Sequence, residues 1–236
     1  MKIFSRNKKK LYWRQRLLNV QKKGGTVVDE TGKEIVIPGT KIFVSGKGNV
    51  ISINKNIEIS QKGIVSITVY GDNNKVDLAD IGVDGRLNII IGSKDIKVRN
   101  VTVQIGEKTG FCSTTIETYN SNNLIKIGKK CMFSFGINLY NTDGHPVYDR
   151  ETGRLINQIK ELIIGDHVWI CADALILKNT VIPNDCIIAR KSVVTGKHFS
   201  ETNCLIAGNP ATVKKRNICW NAQDPAYTQN AKEKSL

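Results

Sequence analysis

The stretch that decides the fold is residues 164–194, IGDHVWICADALILKNTVIPNDCIIARKSVV. An aliphatic residue recurs in it every six positions, and a second series of small or apolar residues follows four positions behind the first. Six residues of helix rotate a side chain by about 240°, so neither series would form one stripe on a helix, and Pro183 also argues against a helix interior. The first series is Ile164, Ile170, Ile176, Ile182, Ile188 and Val194; the second is Val168, Ala174, Thr180, Cys186 and Ser192.

In an extended chain an even spacing places every member of a series on one face. A single strand of this length would run about 100 Å, far beyond ordinary strands, so the chain must turn at regular intervals. One short strand and one turn per hexad, with three hexads per coil, predicts a triangular parallel β-solenoid with an aliphatic interior. Burying one isoleucine contributes about 1.5 to 3 kcal/mol, while fixing one residue's backbone costs about 1 to 2, so stability requires many stacked coils.

Weaker repeats upstream extend this architecture. Ile127, Phe133 and Leu139 keep the period of six, and shorter apolar runs separated by Gly and Asn precede them. We therefore predict an all-β chain with a basic arm over residues 1–25, a solenoid domain over 26–220 with a projecting loop near 140–160, and a polar tail over 221–236.

The basic arm is predicted to form a short helix that caps the first coil. An alternative is that the arm contacts an acidic membrane surface or a partner. The apolar residues of this helix would be Leu11, Trp13, Leu17, Leu18 and Val20.

The charge balance favours anionic partners. The 236 residues contain 35 Lys and Arg against 21 Asp and Glu, a net charge of +14, although a well-solvated surface is the plain alternative. The sequence has no apolar run long enough to span a bilayer and no continuous apolar segment near its start, so we expect a cytoplasmic protein, with the inner membrane face as an alternative location. Six widely spaced cysteines without a CxxC pair indicate buried thiols rather than a disulfide framework or a metal site.

Three further segments carry a resemblance to a known family. They are TDGHPVYD at 142–149, INQIKELIIGDHVWI at 156–170 and IAGNPATVKKRNICW at 206–220. Together with the hexads they resemble the bacterial left-handed β-helix acetyltransferases, and within these the O-acetyltransferases of capsular and lipopolysaccharide sugars, such as those that act on polysialic acid. The resemblance is strong over about residues 105–220 and weak before them.

The resemblance implies that acetyl-CoA donates an acetyl group directly to a hydroxyl, with His145 as general base. Histidine is in part neutral at physiological pH and can accept a proton; the alternative is a turn histidine that only bonds its own loop. Asp143 and Asp149 would orient its imidazole or merely form Asx turns, and Asn141 would bind the acceptor or shape the turn.

The other two histidines do not suggest a metal site. His167 is expected at a solvent-facing corner and His198 in a polar loop, so no metal is predicted.

The same resemblance implies a homotrimer that binds acetyl-CoA in a groove between two subunits. Trp169 would line the site for donor and acceptor, or would simply cover the outer sheet. Glycines that are frequent in the family at the turns are replaced here by Cys171, Ala189 and Lys191. The implied turn contacts to the pantetheine arm are Ala172, Ala189, Arg190 and Lys191; the implied contacts at the adenine and phosphate end are Asn209, Pro210, Lys214, Lys215 and Arg216.

The predicted activity is therefore acetyl-CoA-dependent O-acetylation of a bacterial surface sugar, with a capsular polysaccharide of sialic acid or another acidic glycan as the favoured acceptor. Acetylation of a small acceptor, such as an antibiotic, serine or a nucleotide-linked sugar, is one alternative. The other is a solenoid without catalysis that binds a polyanion. No nucleic-acid motif is present, and nucleic acid is not expected as a partner.

Overall fold

A computed structural model describes residues 18–23, 26–28, 37–54 and 56–222, and these residues form twenty-two β-strands and no helix. The strands wind around a common axis as a triangular prism. The first strands are β1 (Leu18–Lys23), β2 (Thr26–Val28), β3 (Thr40–Ser45), β4 (Val50–Ile53), β5 (Glu58–Ile59), β6 (Ile64–Asp72), β7 (Lys75–Leu78), β8 (Gly82–Ile91), β9 (Val98–Arg99), β10 (Val101–Ile105) and β11 (Gly110–Thr118). The later strands are β12 (Asn123–Ile127), β13 (Met132–Phe133), β14 (Ile137–Tyr140), β15 (Leu162–Ile164), β16 (Trp169–Ile170), β17 (Leu175–Leu177), β18 (Val181–Ile182), β19 (Ile187–Ile188), β20 (Val193–Val194), β21 (Leu205–Gly208) and β22 (Ala211–Lys215).

Three parallel ladders form the faces of the prism. Face A contains β4, β7, β10, β12, β15 and β18. Face B contains β13, β16, β19 and β21, and face C contains β14, β17 and β20. The long strand β11 bends across faces B and C, because its start pairs with β13 and its end with β14. Each coil of the later part runs through A, B and C in turn, which confirms the prediction of three hexads per coil.

The interior confirms both hexad series. All eleven residues of the two series are at most 1% exposed, and all but Thr180 and Ser192 belong to one continuous hydrophobic core that runs the length of the prism. Phe111 and Phe133 stack in this core with their ring centroids 4.8 Å apart. Strands of only two or three residues suffice because each one is held by the coils on either side.

The corners depend on left-handed backbone conformations at a third set of positions with the same period. These residues have φ between 52° and 61°, a region in which a side chain is disfavoured and which Asn and Asp tolerate best. One such residue follows each aliphatic hexad position by three and turns the chain onto the next face. They are His167, Asp173, Asn179, Asp185 and Lys191.

The start of the described chain corrects one prediction. Leu18 and Val20 lie in β1, which pairs antiparallel with β4 of face A, and not in a helix. An open edge of face A accepts any extended segment with free backbone groups, and this pairing outweighs the weak apolar spacing that suggested a helix. Leu11, Trp13 and Leu17 lie outside the described residues, as does most of the arm that was predicted to meet a membrane or partner.

The end of the described chain folds back on face B. Strand β22 pairs antiparallel with β21, and the predicted polar tail lies outside the described residues from position 223 onward. In the described part of the chain no helix is long and apolar enough to cross a membrane. The six cysteines are all free thiols: Cys112, Cys131, Cys186 and Cys204 are buried, Cys171 is half-buried and Cys219 is exposed. Burial raises the pKa of the Cys131 thiol to about 12 and that of Cys171 to about 11.

Candidate active site

A loop over residues 142–161 interrupts the coils between β14 and β15, at the corner where face C meets face A. Its distal half is a small hairpin, in which Asp149 N donates to Arg154 O at 2.8 Å and Ile156 N donates to Val147 O at 2.9 Å. His145 lies exposed at the start of the loop. The loop therefore carries this imidazole outside the prism, where another molecule can reach it.

The backbone around His145 is held by one asparagine and one lysine. Asn157 donates from Nδ2 to Asp143 Oδ2 at 2.7 Å and to His145 O at 2.9 Å, and its Oδ1 accepts from Val147 N at 2.8 Å. Lys178 Nζ lies 2.5 Å from Asp143 Oδ2 and donates to Asn157 O at 3.2 Å. Two separate side chains thus tie down the segment that carries the candidate base.

The two aspartates beside His145 have different surroundings. Asp143 is an ion-pair partner of Lys178, as described above. Asp149 accepts from Thr152 Oγ1 at 2.6 Å, from Thr152 N at 2.7 Å and from Glu151 N at 3.2 Å. These bonds, chiefly that from the Thr152 hydroxyl, hold the pKa of Asp149 below its ordinary value. Asp149 therefore forms a turn of the kind that was one of the two predictions for it.

Asn141 also has a structural environment. Its side chain is fully buried and donates from Nδ2 to Asn123 Oδ1 at 3.0 Å. Asn49 and Asn74 make a similar pair further down the same corner, where Asn74 Nδ2 donates to Asn49 Oδ1 at 3.0 Å. A side chain buried in this ladder has no surface to offer an acceptor, so the geometry favours the prediction that Asn141 shapes the turn.

Trp169 lies half-buried on the outside of face B. The register places it between Met132 and Ile187, and its ring centroid is 5.8 Å from that of Trp220. Trp220 stacks on His167 at 4.2 Å between centroids, with the ring planes 10° apart, and donates from Nε1 to His167 O at 2.9 Å. Trp169 is thus partly covered but still presents surface.

His167 corrects a smaller expectation. Its Nδ1 lies 2.8 Å from Asp185 Oδ1, and the ring is half-buried beneath Trp220 instead of facing solvent. The sequence could not show this contact, because Trp220 lies 53 positions further along the chain. Among the described residues no group of three or more His, Cys, Asp or Glu side chains could hold a metal ion.

The residues proposed for the CoA turn contacts stack at the corner between faces B and C. Cys171 N donates to Ile188 O and Ala189 N donates to Ile206 O, both at 2.9 Å, which places Cys171, Ala189 and Ala207 one above another. In the same corner Lys191 N donates to Ala172 O at 3.1 Å. The small side chains of Cys171, Ala189 and Ala207 are half-buried along this corner.

Two of the basic residues predicted to bind CoA form ion pairs with acidic residues. Arg190 pairs with Asp173 at 3.0 Å, and Arg216 Nε lies 2.5 Å from Glu201 Oε2. The hydrogen bond between the latter two raises the pKa of Arg216 and lowers that of Glu201. Lys191, Asn209, Pro210, Lys214 and Lys215 are exposed.

One chain does not bring the predicted catalytic and donor-binding groups together. His145 leaves the prism at the corner between faces C and A, whereas Trp169 is on face B, which lies opposite that corner. Ala189 is at the corner between B and C. The three predicted groups therefore lie on different sides of one prism.

Three residues of the candidate site are not recognisable from the sequence: Asn157, Lys178 and Trp220. Asn157 stands in a loop without periodicity, and the nearness of Lys178 to Asp143 follows only from coil stacking. Lys178 is the first residue of the corner between faces C and A in the coil that follows the loop. This position would reveal its nearness to Asp143 only if the length of the loop insertion were known.

Comparison with known proteins gives a consistent picture, although no family model matches the chain. A polysialic acid O-acetyltransferase of Neisseria meningitidis is 35% identical over 149 residues, which cover 53% of this chain and 67% of the relative. A polysialic acid O-acetyltransferase of Escherichia coli O1:K1 / APEC is 33% identical over 137 residues, covering 57% of this chain and only 40% of that longer relative.

Two solved structures share the fold. The polySia-specific acetyltransferase NeuO superposes with a TM-score of 0.62 and 27% identity, over 81% of this chain and 93% of that one. The polysialic acid O-acetyltransferase OatWY superposes with a TM-score of 0.54 and 30% identity, over 80% of this chain and 95% of that one. These likenesses confirm the resemblance read from the sequence and the left-handed parallel β-helix.

Proposed function

This chain belongs to the polysialic acid O-acetyltransferase family and is an acyltransferase, and we propose that it transfers acetyl from acetyl-CoA to a hydroxyl of a capsular sialic acid polymer. The observation that carries the proposal is His145, exposed at the start of a tethered loop that projects from a solenoid of this family. The names of the relatives support the acceptor, and the net charge of +14 suits both an acidic polymer and CoA.

In this proposal His145 is the general base. Acetyl-CoA supplies the acetyl group and a thiol leaving group. Neutral His145 takes the proton of the acceptor hydroxyl while that oxygen bonds to the acetyl carbon; the carbon–sulfur bond then breaks, and His145 returns the proton to sulfur. A correctly placed base contributes about 10²- to 10⁴-fold in rate.

The corner between faces B and C fits the donor. The stacked residues Cys171, Ala189 and Ala207 have small side chains, which suits a pantetheine arm laid along this corner. Lys214 and Lys215 are exposed on β22 and suit phosphate oxygens. Arg190 and Arg216 would serve the phosphates only in competition with Asp173 and Glu201.

We propose a homotrimer in which each site lies between two chains. The separation of His145 from Trp169 and from the B–C corner supports this arrangement, because one chain alone leaves the site incomplete. The loop hairpin also exposes apolar side chains that a neighbouring chain could cover. They are Val147, Tyr148, Leu155 and Ile156, at 47%, 60%, 42% and 61% exposure.

The test is His145→Ala, assayed by thiol release from acetyl-CoA with a sialic acid polymer and by mass analysis of the product. We expect a fall in kcat of about 10²- to 10⁴-fold, because the acceptor oxygen must then attack without a base. His198→Ala is the matched control, since His198 is also exposed but lies in another loop.

Retained turnover in His145→Ala would reject this residue as the base. Turnover only with a small acceptor would favour the alternative substrate class. Tight polymer binding by the wild type without any thiol release would favour a binding solenoid instead of an enzyme.

A further inference from the structure

We propose that Asn157 and Lys178 are positioning residues for the transfer reaction: together they fix the backbone of residues 143–147 and so set the place of the His145 imidazole. This inference rests on the proposed role of His145. Each of the two acts through the loop and not through contact with the acceptor.

Asn157 uses both ends of its amide on the segment that contains His145. Its Nδ2 group donates to the side chain of Asp143 and to the carbonyl of His145 itself, and its Oδ1 accepts from Val147 N. The three bonds, between 2.7 and 2.9 Å, reach positions before, at and after the imidazole. A single side chain from the second half of the loop therefore holds the bend around His145.

Lys178 connects this bend to the solenoid core. It directly follows β17, whose Ile176 is fully buried, and the pairing of Tyr140 with Leu177 places Lys178 one coil away from Asn141, where the loop begins. Its side chain is only 18% exposed. Its Nζ pairs with Asp143 and donates to Asn157 O, so Lys178 attaches the loop to a coil of the solenoid.

The need for such anchors follows from the loop itself. Gly144 immediately precedes His145, adopts φ of +76°, and has no atom within 4 Å of where a Cβ would be. Gly144 N donates to Thr142 Oγ1 at 3.0 Å, but this bond lies within the loop and does not fix the loop on the solenoid. Because an error of about 1 Å in the position of a catalytic group can cost about 10²-fold in rate, the bonds of Asn157 and Lys178 supply that link.

This arrangement also assigns a role to Asp143. Its Oδ2 is shared by Lys178 Nζ and Asn157 Nδ2, so the carboxylate links the two anchors. In this proposal Asp143 therefore acts on the backbone position of His145.

The experiment compares Asn157→Ala, Asn157→Asp, Lys178→Met and Lys178→Arg in the full chain. We expect kcat to fall about 10- to 100-fold in the first three, while the KM for acetyl-CoA and the thermal midpoint change little. Asn157→Asp keeps the acceptor for Val147 N but loses both donors and places a second carboxylate beside Asp143. Lys178→Arg keeps the charge and should recover most of kcat.

Lys160→Met is the matched control, because Lys160 is an exposed lysine of the same loop. It changes the net charge as Lys178→Met does, and wild-type kcat is expected. Equal losses in the two methionine variants would assign the effect to net charge and overturn the inference.

Combination with His145→Ala separates this inference from the proposed function. If the anchors act through His145, adding Lys178→Met to His145→Ala lowers kcat no further. Full activity of the anchor variants beside an inactive His145→Ala would refute the positioning role and leave the base intact. Full activity of His145→Ala would refute the base itself, and a large parallel rise in the KM for acetyl-CoA would indicate general loosening instead of positioning.

Discussion

Asp149 illustrates how a single carboxylate shapes the loop that carries His145. It accepts three hydrogen bonds from Thr152 and Glu151, and these favour its charged form. Its pKa is therefore lowered, and the stabilisation of the turn is present above the ordinary value of 3.8. It is lost as the pH falls through the lower folded value.

Thr152→Val tests this assignment, because it removes the hydroxyl donor that lowers the pKa most. We expect the pKa of Asp149, measured by NMR titration of its carboxyl carbon, to rise toward 3.8. Thr142→Val makes the same change elsewhere in the loop, where the hydroxyl accepts from Gly144 N, and should leave Asp149 unaltered. An unchanged pKa in Thr152→Val would reject the hydroxyl as the main cause.

At the scale of single residues, the sequence predicted that His145 projects from the prism. It did not predict Asn157 and Lys178, which hold its loop. His145 is recognisable because DGHP is a local pattern that the family shares. Asn157 and Lys178 have no local pattern, and their contacts arise only when the loop returns and the next coil stacks beneath it. The burial of Asn141 was hidden for the same reason, since its partner Asn123 belongs to the preceding coil.

Single elements of the solenoid depend on corners in which one residue is left-handed. Lys130 adopts φ of 57° at the corner between faces A and B, next to Lys129, which is also exposed. A β-branched side chain tolerates this conformation poorly, whereas glycine adopts it freely. A β-branched residue at position 130 should therefore lower the stability, whereas the same residue at position 129 should not.

We expect Lys130→Val to unfold with a free energy about 1 to 2 kcal/mol lower than Lys130→Gly, measured by urea denaturation. Lys129→Val controls for the lost charge and the added branch, and should change stability by no more than about 0.5 kcal/mol. Equal stability of Lys130→Val and Lys130→Gly would show that the corner is not strained in the way described.

The strands were predictable to the extent that their period was strict. From Ile164 to Val194 every core position was assigned correctly, because an even spacing of six has few other structural solutions. The segment around Leu18 was not, since its apolar residues suit a helix or a strand equally and the open edge of face A decided between them.

At the scale of the whole molecule, the opposite placement of His145 and Trp169 makes the proposed assembly testable by mixing. His145→Ala and Trp169→Ala should each be nearly inactive alone. Trimers formed by co-expressing the two variants in equal amounts should recover about a quarter of the wild-type activity, because a neighbouring pair can then supply both native residues. Activity is measured on purified assemblies whose size is checked by sedimentation.

No recovery on mixing would mean that each chain supplies its own complete site, and an active monomer would reject the trimer outright. Trp169→Phe is a suitable companion variant, since an aromatic ring that only covers face B should tolerate the change. The sequence predicted this assembly through family resemblance alone, because nothing in the hexads states which faces meet.

Strand β22 folds back on β21, and this pairing affects whether copies of the prism can stack end to end. The last strand of a parallel sheet has unpaired backbone groups, and the first strand of another copy could pair with them. Repeated pairing of this kind would build a fibre. On face B the last strand, β22, runs in the opposite direction, so an incoming parallel strand finds the wrong polarity. The β21–β22 hairpin thus opposes the end-to-end addition of further copies.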